Sequence, residues 1–153
     1  MNWLIQYPVW ELEAFGGGFW IALIATLHVY IAHFAVGAGL FLVLTEMKAY
    51  REQSDAVLEY TKKHSKFFLL LTMVFGSVSG VGIWFIISLL SPQATSVLIH
   101  QFVFAWATEW VFFLGEIITL FVYVYRFGKM DKNDHLRVGW IYFGFGWLSL
   151  FVV

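Results

Sequence analysis

The stretch Phe19–Thr45, FWIALIATLHVYIAHFAVGAGLFLVLT, decides the fold: it contains no Lys, Arg, Asp or Glu, and only His28 and His33 titrate near neutrality. About 20 apolar residues cross the roughly 30 Å hydrocarbon layer of a bilayer, so this stretch reads as a transmembrane helix. Three more apolar segments follow it, Phe67–Leu90, Val97–Tyr125 and the shorter Val138–Val153. The layout predicts an all-α, membrane-spanning four-helix bundle in one transmembrane domain, residues 1–153. The connection 46–66 is charged and partly helical in expectation, 91–96 reads as a tight turn around Pro92, and 126–137 carries Gly128 and Asn133 among charges.

Composition closes off other classes. Only 12% of the 153 residues are charged and 61% are hydrophobic, against about 25% charged in soluble domains, and the mean hydropathy is +0.78. A soluble enzyme is excluded. A formal net charge of -1 gives no basic face for nucleic acid and no disordered, charge-rich chain. With no cysteine, thiolate metal sites and covalent c-type haem attachment are impossible within the chain. Met1–Gly18 carries Glu11 and Glu13 but no Lys or Arg, so it lacks the basic start of a signal peptide and reads as mature sequence.

The nine Lys and Arg residues split five and four between 46–66 and 126–137. By the positive-inside rule those connections face the cytoplasm, leaving the N-terminus and the 91–96 turn outside, as in a bacterial-type inner membrane. Trp3, Tyr7, Trp10 and Trp20 near one end, and Tyr50, Tyr60, Tyr123 and Tyr125 near the other, suit interfacial aromatic belts.

A charge at the bilayer centre costs about 2.5–3.5 kcal/mol on insertion scales, so intramembrane ionisable residues point to function. His28, His33, His100, Glu109 and Glu116 fall in the spans, and Glu46 ends the first. At about 1.5 Å per residue, His28 and Glu109 share the outer half of the layer, and Glu116 stacks about 10 Å beyond Glu109 on the same helix face. His28 shares a face with Ala25, Ala32, Ala35 and Gly39, a groove of small residues open to a flat ligand; Gly76–Gly82 offers either a helix-packing face or room for one. Haem iron takes an axial imidazole, which makes His28 the first candidate ligand and His33 and His100 weaker ones. The plain alternative for each is an interhelical hydrogen bond. Glu109 and Glu116, with no basic partner in the spans, are candidates for a proton path or haem-side carboxylates. His64 and His135, among basic residues, read as solvated.

In order and spacing the motifs resemble the N-terminal portion of cytochrome bd-type quinol oxidase subunit I, over nearly the whole chain. The residues are His28, Gly37, Phe41-Leu42-Val43-Leu44, Glu46, Gly76-Ser77-Val78-Ser79-Gly80 and Glu109-Trp110-Val111-Phe112-Phe113-Leu114-Gly115-Glu116. The resemblance implies haem of b or d type with His28 as axial ligand, Glu109 and Glu116 beside the haem site, and a structural or proton-entry role for Glu46. It also implies quinol as substrate of the complex, the quinone pool as electron source, and further membrane subunits or the remainder of subunit I as partners. The chain departs from the family in the seven-residue glutamate spacing, in His33 where a Pro is usual and in Trp84 where a Glu is common. Those departures suit an alternative, a bd-like module exchanging electrons with c-type cytochromes rather than oxygen. A haem-free scaffold or proton-conducting subunit is the reading from another class. The fourth segment reads as incomplete, its bundle finished by further sequence or a partner.

Overall fold

The computed structural model describes residues 9–152, and these are helical with no strand. The helices are α1 (Gly16–Arg51), α2 (Asp55–Leu71), α3 (Ser77–Leu90), α4 (Pro92–Tyr125) and α5 (Lys132–Val152). A π-helical turn, Thr72–Gly76, joins α2 to α3, so Asp55–Leu90 forms one continuous rod. Three rods, Gly16–Arg51, Asp55–Leu90 and Pro92–Tyr125, are long and apolar enough to cross a membrane. Their length and composition fit an integral membrane protein. The fourth expected span differs: α5 has 21 residues, about 32 Å, but Lys132, Asp134 and Arg137 occupy its first two turns.

Local chemistry sets the helix ends. Gln53 turns left-handed after α1 at φ 51°, and the Ser54 hydroxyl then accepts from the Val57 amide at 3.4 Å, capping α2 with Asp55 in its first turn. Pro92 opens α4, where its missing N–H costs nothing. The expected turn over 91–96 is thus reduced to Ser91, and the charged connection 46–66 to residues 52–54. Gly128 at φ 74° reverses the chain after α4, and Asp131 accepts from the Asn133 amide at 2.9 Å to start α5.

α1 packs on the α2–α3 rod and on α5, and α4 packs on α5 and, less extensively, on the rod; α1 and α4 do not pack backbone to backbone. The densest apolar packing lies toward the end that carries the 52–54 and 126–131 connections, with Leu42, Leu120, Tyr123, Val124, Phe127 and Tyr142 buried together. We call this the basic-loop end. At the opposite end Trp10 donates its amide to the Leu89 carbonyl at 3.0 Å. Trp3 and Tyr7, expected in an aromatic belt, lie outside the described residues. Tyr123, expected in the other belt, is instead 1% exposed.

Small residues make the close approach of α1 and α5 possible. A Cβ on Gly39 would lie 2.5 Å from the Tyr142 ring, and the Tyr142 hydroxyl donates to the Ala35 carbonyl at 3.2 Å. The Ala35–Gly39 part of the expected ligand groove is therefore filled by an aromatic ring from α5. Large side chains such as Phe34, Phe75, Phe104 and Trp110 point outward, which suits a chain whose outer surroundings are hydrocarbon rather than water.

Candidate functional site

His28 sits against α3. Its Nδ1 lies 3.0 Å from the Ser79 hydroxyl, and Ser79 itself donates to the Phe75 carbonyl one turn earlier. A hydroxyl has one proton to give, so Ser79 accepts from His28 Nδ1–H, and the neutral ring then carries its lone pair on Nε2. Gly80 makes the fit possible, since a Cβ there would stand 3.2 Å from the imidazole. Gly82 meets Ile24 in the same way at 3.2 Å. The glycine segment of α3 thus serves helix packing against α1, with His28 as part of the packed surface.

The other two histidines of the expected spans are less integrated. His33 and His100 are exposed, and each Nδ1 donates to the carbonyl one turn back, Val29 at 2.8 Å and Ser96 at 2.7 Å. His33 borders a shallow outward-facing groove of about 570 Å3 with Ala25, Thr26, Val29 and Tyr30. His64 is not in a loop but on α2, half-buried against the Tyr60 ring at 3.8 Å.

Glu109 and Glu116 both face α5, as their seven-residue spacing predicts. Ser149 donates to Glu109 Oε1 at 3.1 Å, while the Glu116 carboxyl packs where a Gly146 Cβ would be 3.3 Å away. Glu116 makes no side-chain hydrogen bond among the described residues. His28 at the α1–α3 contact and Glu109 at the α4–α5 contact are not joined by any interaction among those residues, and no group of three or more His, Asp or Glu there is arranged to hold a metal ion.

The most elaborate polar cluster is elsewhere, and it corrects the reading of His135 as solvated. His135 is 2% exposed and Glu46 0%. Nδ1 of His135 lies 2.7 Å from Glu46 Oε1, and Nε2 lies 2.8 Å from the Tyr123 carbonyl. Tyr123 donates its hydroxyl to Glu46 Oε2 at 2.7 Å, and Tyr50 donates to Oε1 at 3.0 Å. His135 precedes the apolar part of α5. Burial pulls its pKa down, but the bonds to Glu46 and the Tyr123 carbonyl and the Glu46 charge outweigh this, leaving it above the ordinary value.

Comparison with known protein families, curated proteins and solved structures finds no match. The donor set can still be tested against haem. One imidazole with a free Nε2 and its Nδ1–H held by a hydroxyl is the arrangement of an axial ligand with its orienting partner. His28 could therefore serve as one ligand to such a group, and any other would come from outside its immediate surroundings.

Proposed function

We propose that this chain is a haem-binding membrane subunit of a respiratory electron-transfer complex, similar in role to the N-terminal part of the quinol-oxidising, oxygen-reducing cytochrome bd subunit I. In this reading its four rods form a four-helix bundle in a bacterial-type inner membrane. The end of the bundle formed by residues 46–66 and 126–137 faces the cytoplasm, because those stretches of helix end and connection hold all nine basic residues.

The observation that carries the reading is His28 Nδ1 donating to Ser79, which leaves Nε2 free for iron, within the ordered motifs on α1, α3 and α4. His28 would hold the haem through Nε2, with Ser79 fixing its ring plane. Haem, when bound, supplies one-electron redox chemistry at its iron. Glu109, held by Ser149, and Glu116, without an internal partner, hold and exchange protons along the α4–α5 side of the bundle. His33 and His100, with outward-facing Nε2 atoms, remain secondary ligand candidates for haem shared with another subunit.

The test is a pyridine haemochrome spectrum of the membrane complex purified through this chain. Haem in stoichiometric amount is expected, and His28→Ala removes it or changes its spectrum. Absence of haem refutes the reading, and an unchanged haem content and spectrum in His28→Ala refutes the ligand assignment.

One observation favours electron exchange with c-type cytochromes over oxygen reduction. Trp84, at the position where the resembled family often has a Glu, packs edge-on against Trp106 with ring centroids 4.4 Å apart, so a proton-carrying group is replaced by an apolar wedge. Quinol-driven oxygen uptake by the complex separates the two. A haem-free scaffold or proton-conducting subunit is favoured by Glu109 finding its partner, Ser149, within the chain. Absence of a Soret band would select it.

A further inference from the structure

At the basic-loop end Glu46 and Tyr50 of α1, Tyr123 in the last turn of α4 and His135 in the first turn of α5 meet in one buried hydrogen-bonded unit. Its protons can be counted. The Tyr123 carbonyl only accepts, so His135 Nε2 carries a hydrogen. Both phenols donate to the Glu46 carboxyl, so the remaining question is the proton between Nδ1 and Oε1, 2.7 Å apart. That separation lies in the range of a charge-assisted bond, and a carboxylate receiving three donors is best satisfied when ionised. The unit is therefore an imidazolium and a carboxylate with no net charge.

The unit ties helices that are otherwise apart. α1 and α4 do not pack on each other directly, and the Tyr123–Glu46 bond joins them at 2.7 Å. It is also a dead end for protons on the bundle side. The Tyr123 carbonyl cannot pass a proton on, Tyr142 donates to the Ala35 carbonyl, and Thr119 donates to the Gly115 carbonyl. On the loop side Tyr50 borders a cavity of about 280 Å3 with Asp55, Leu58, Glu59, Lys62, Phe127 and Gly128. That cavity brings open space up to Tyr50, a member of the unit.

We propose that the Glu46–His135 pair is a proton-operated clasp: a proton bound from the loop-side aqueous space holds the C-terminal ends of α1 and α4 to the start of α5, and its loss releases them. This goes beyond the haem reading and stands without it. Without the proton, the Nδ1 lone pair faces Oε1, and the buried carboxylate keeps only its two phenol donors. The groups facing the unit are Glu46 and Tyr50 on α1, Tyr123 on α4, and Asp131 and Lys132 at the start of α5, with Lys132 Nζ 5.2 Å from the Tyr50 ring centre. Asp55, Glu59 and Lys62 of α2 line the cavity mouth.

The sign follows from His135 being raised above its ordinary value. The clasp is intact below about pH 6.5 and is lost as pH rises through the higher folded-state value. The chain has no cysteine, so Lys48→Cys with Asn133→Cys allows spin labels on the exposed ends of α1 and α5 in the full chain in detergent or nanodiscs. A narrow distance distribution is expected at pH 6 and a broad or longer one at pH 9. The same pair carrying His135→Gln should give a distribution that does not change with pH. Thermal midpoints should fall over the same window by about 3–5 °C for each pH unit by which the folded value exceeds the free one. Nitrogen-15 signals of His135 in the wild-type chain need no clasp variant and should report both ring nitrogens protonated at pH 6. Identical distance distributions at pH 6 and pH 9 in the wild-type background overturn the proposal, as does a neutral His135 at pH 6.

Discussion

Two glycines on α1 separate the packing account from the sequence pattern. Gly37 has open space where a side chain would go, whereas a Cβ on Gly39 would lie 2.5 Å from one Tyr142 ring carbon and 3.0 Å from the next. Both lie in the same helix, so Ala for Gly gains about 1 kcal/mol of helix propensity at either site. At Gly37 nothing opposes the gain. At Gly39 the Cβ needs about 1 Å more room from a ring that is 3% exposed and anchored by its bond to the Ala35 carbonyl at 3.2 Å. Overpacking costs about 1–3 kcal/mol and loss of that hydrogen bond about 1 kcal/mol, so Gly39→Ala should destabilise by about 1–3 kcal/mol net. At about 2–4 °C per kcal/mol for a chain of this size, its midpoint in a detergent thermal melt, followed by tryptophan fluorescence, should fall by about 2–12 °C. Gly37→Ala should leave the midpoint unchanged or raise it. Adding Tyr142→Ala to Gly39→Ala should make the two changes non-additive, because the Gly39→Ala clash disappears once the ring is gone. A Gly39→Ala midpoint at or above that of Gly37→Ala would refute the assignment of the Ala35–Gly39 groove to Tyr142.

Other substitutions probe single contacts. If the proposed haem reading holds, Ser79→Ala should weaken haem retention by about 10–100-fold on titration of the apo-protein, because His28 loses the acceptor that fixes its ring; retention equal to wild type would detach Ser79 from the proposed ligand role. Ser149→Ala should cost about 0.6–1.7 kcal/mol by removing the donor to Glu109, measured as a shift in thermal midpoint, with no loss counting against that bond. Ser54→Ala should cost about 0.5–1 kcal/mol, the low end of capping losses, because its bond to the Val57 amide is long at 3.4 Å. Amide hydrogen exchange should then rise in the first turn of α2 and nowhere else.

The sequence discloses the helices because uninterrupted apolar length is a strong signal, and it places Glu109 and Glu116 on one face because seven residues make nearly two whole turns. The contact partners were harder to read. His135 lies among Lys132, Asn133, Asp134 and Arg137, and local charge suggests solvent. The better signal was the stripe His135, Gly139, Tyr142, Gly146 and Ser149, spaced alternately four and three, which is the buried face of α5. Ala35, Gly39, Leu42, Glu46 and Ala49 follow the same rhythm on α1. Two such stripes, each with small residues and an ionisable group near its basic-loop end, pack on each other and bring Glu46 to His135. The small residues beside His28 suggest a ligand groove in sequence because one helix cannot show which of its neighbours supplies a ring. Tyr142 comes from a segment about a hundred residues away, and that pairing is a property of the whole packing.

The π-helical turn at Thr72–Gly76 has a consequence for how this chain tolerates insertion and deletion. One residue more or less in an α-helix advances or retards everything downstream by about 100°, and a π turn absorbs one such residue while the helix continues. Ser79 and Gly80 therefore face His28 in a phase set by that turn rather than by the continuous winding of α2. Removing one residue between Thr72 and Gly76 would therefore close the turn into plain α-helix and leave Ser79 and Gly80 facing His28, whereas the same deletion within Ser77–Leu90 ahead of Ser79 would turn that contact surface by about 100°. A one-residue length polymorphism confined to this turn is thus a change of local winding that the heading of α3 survives.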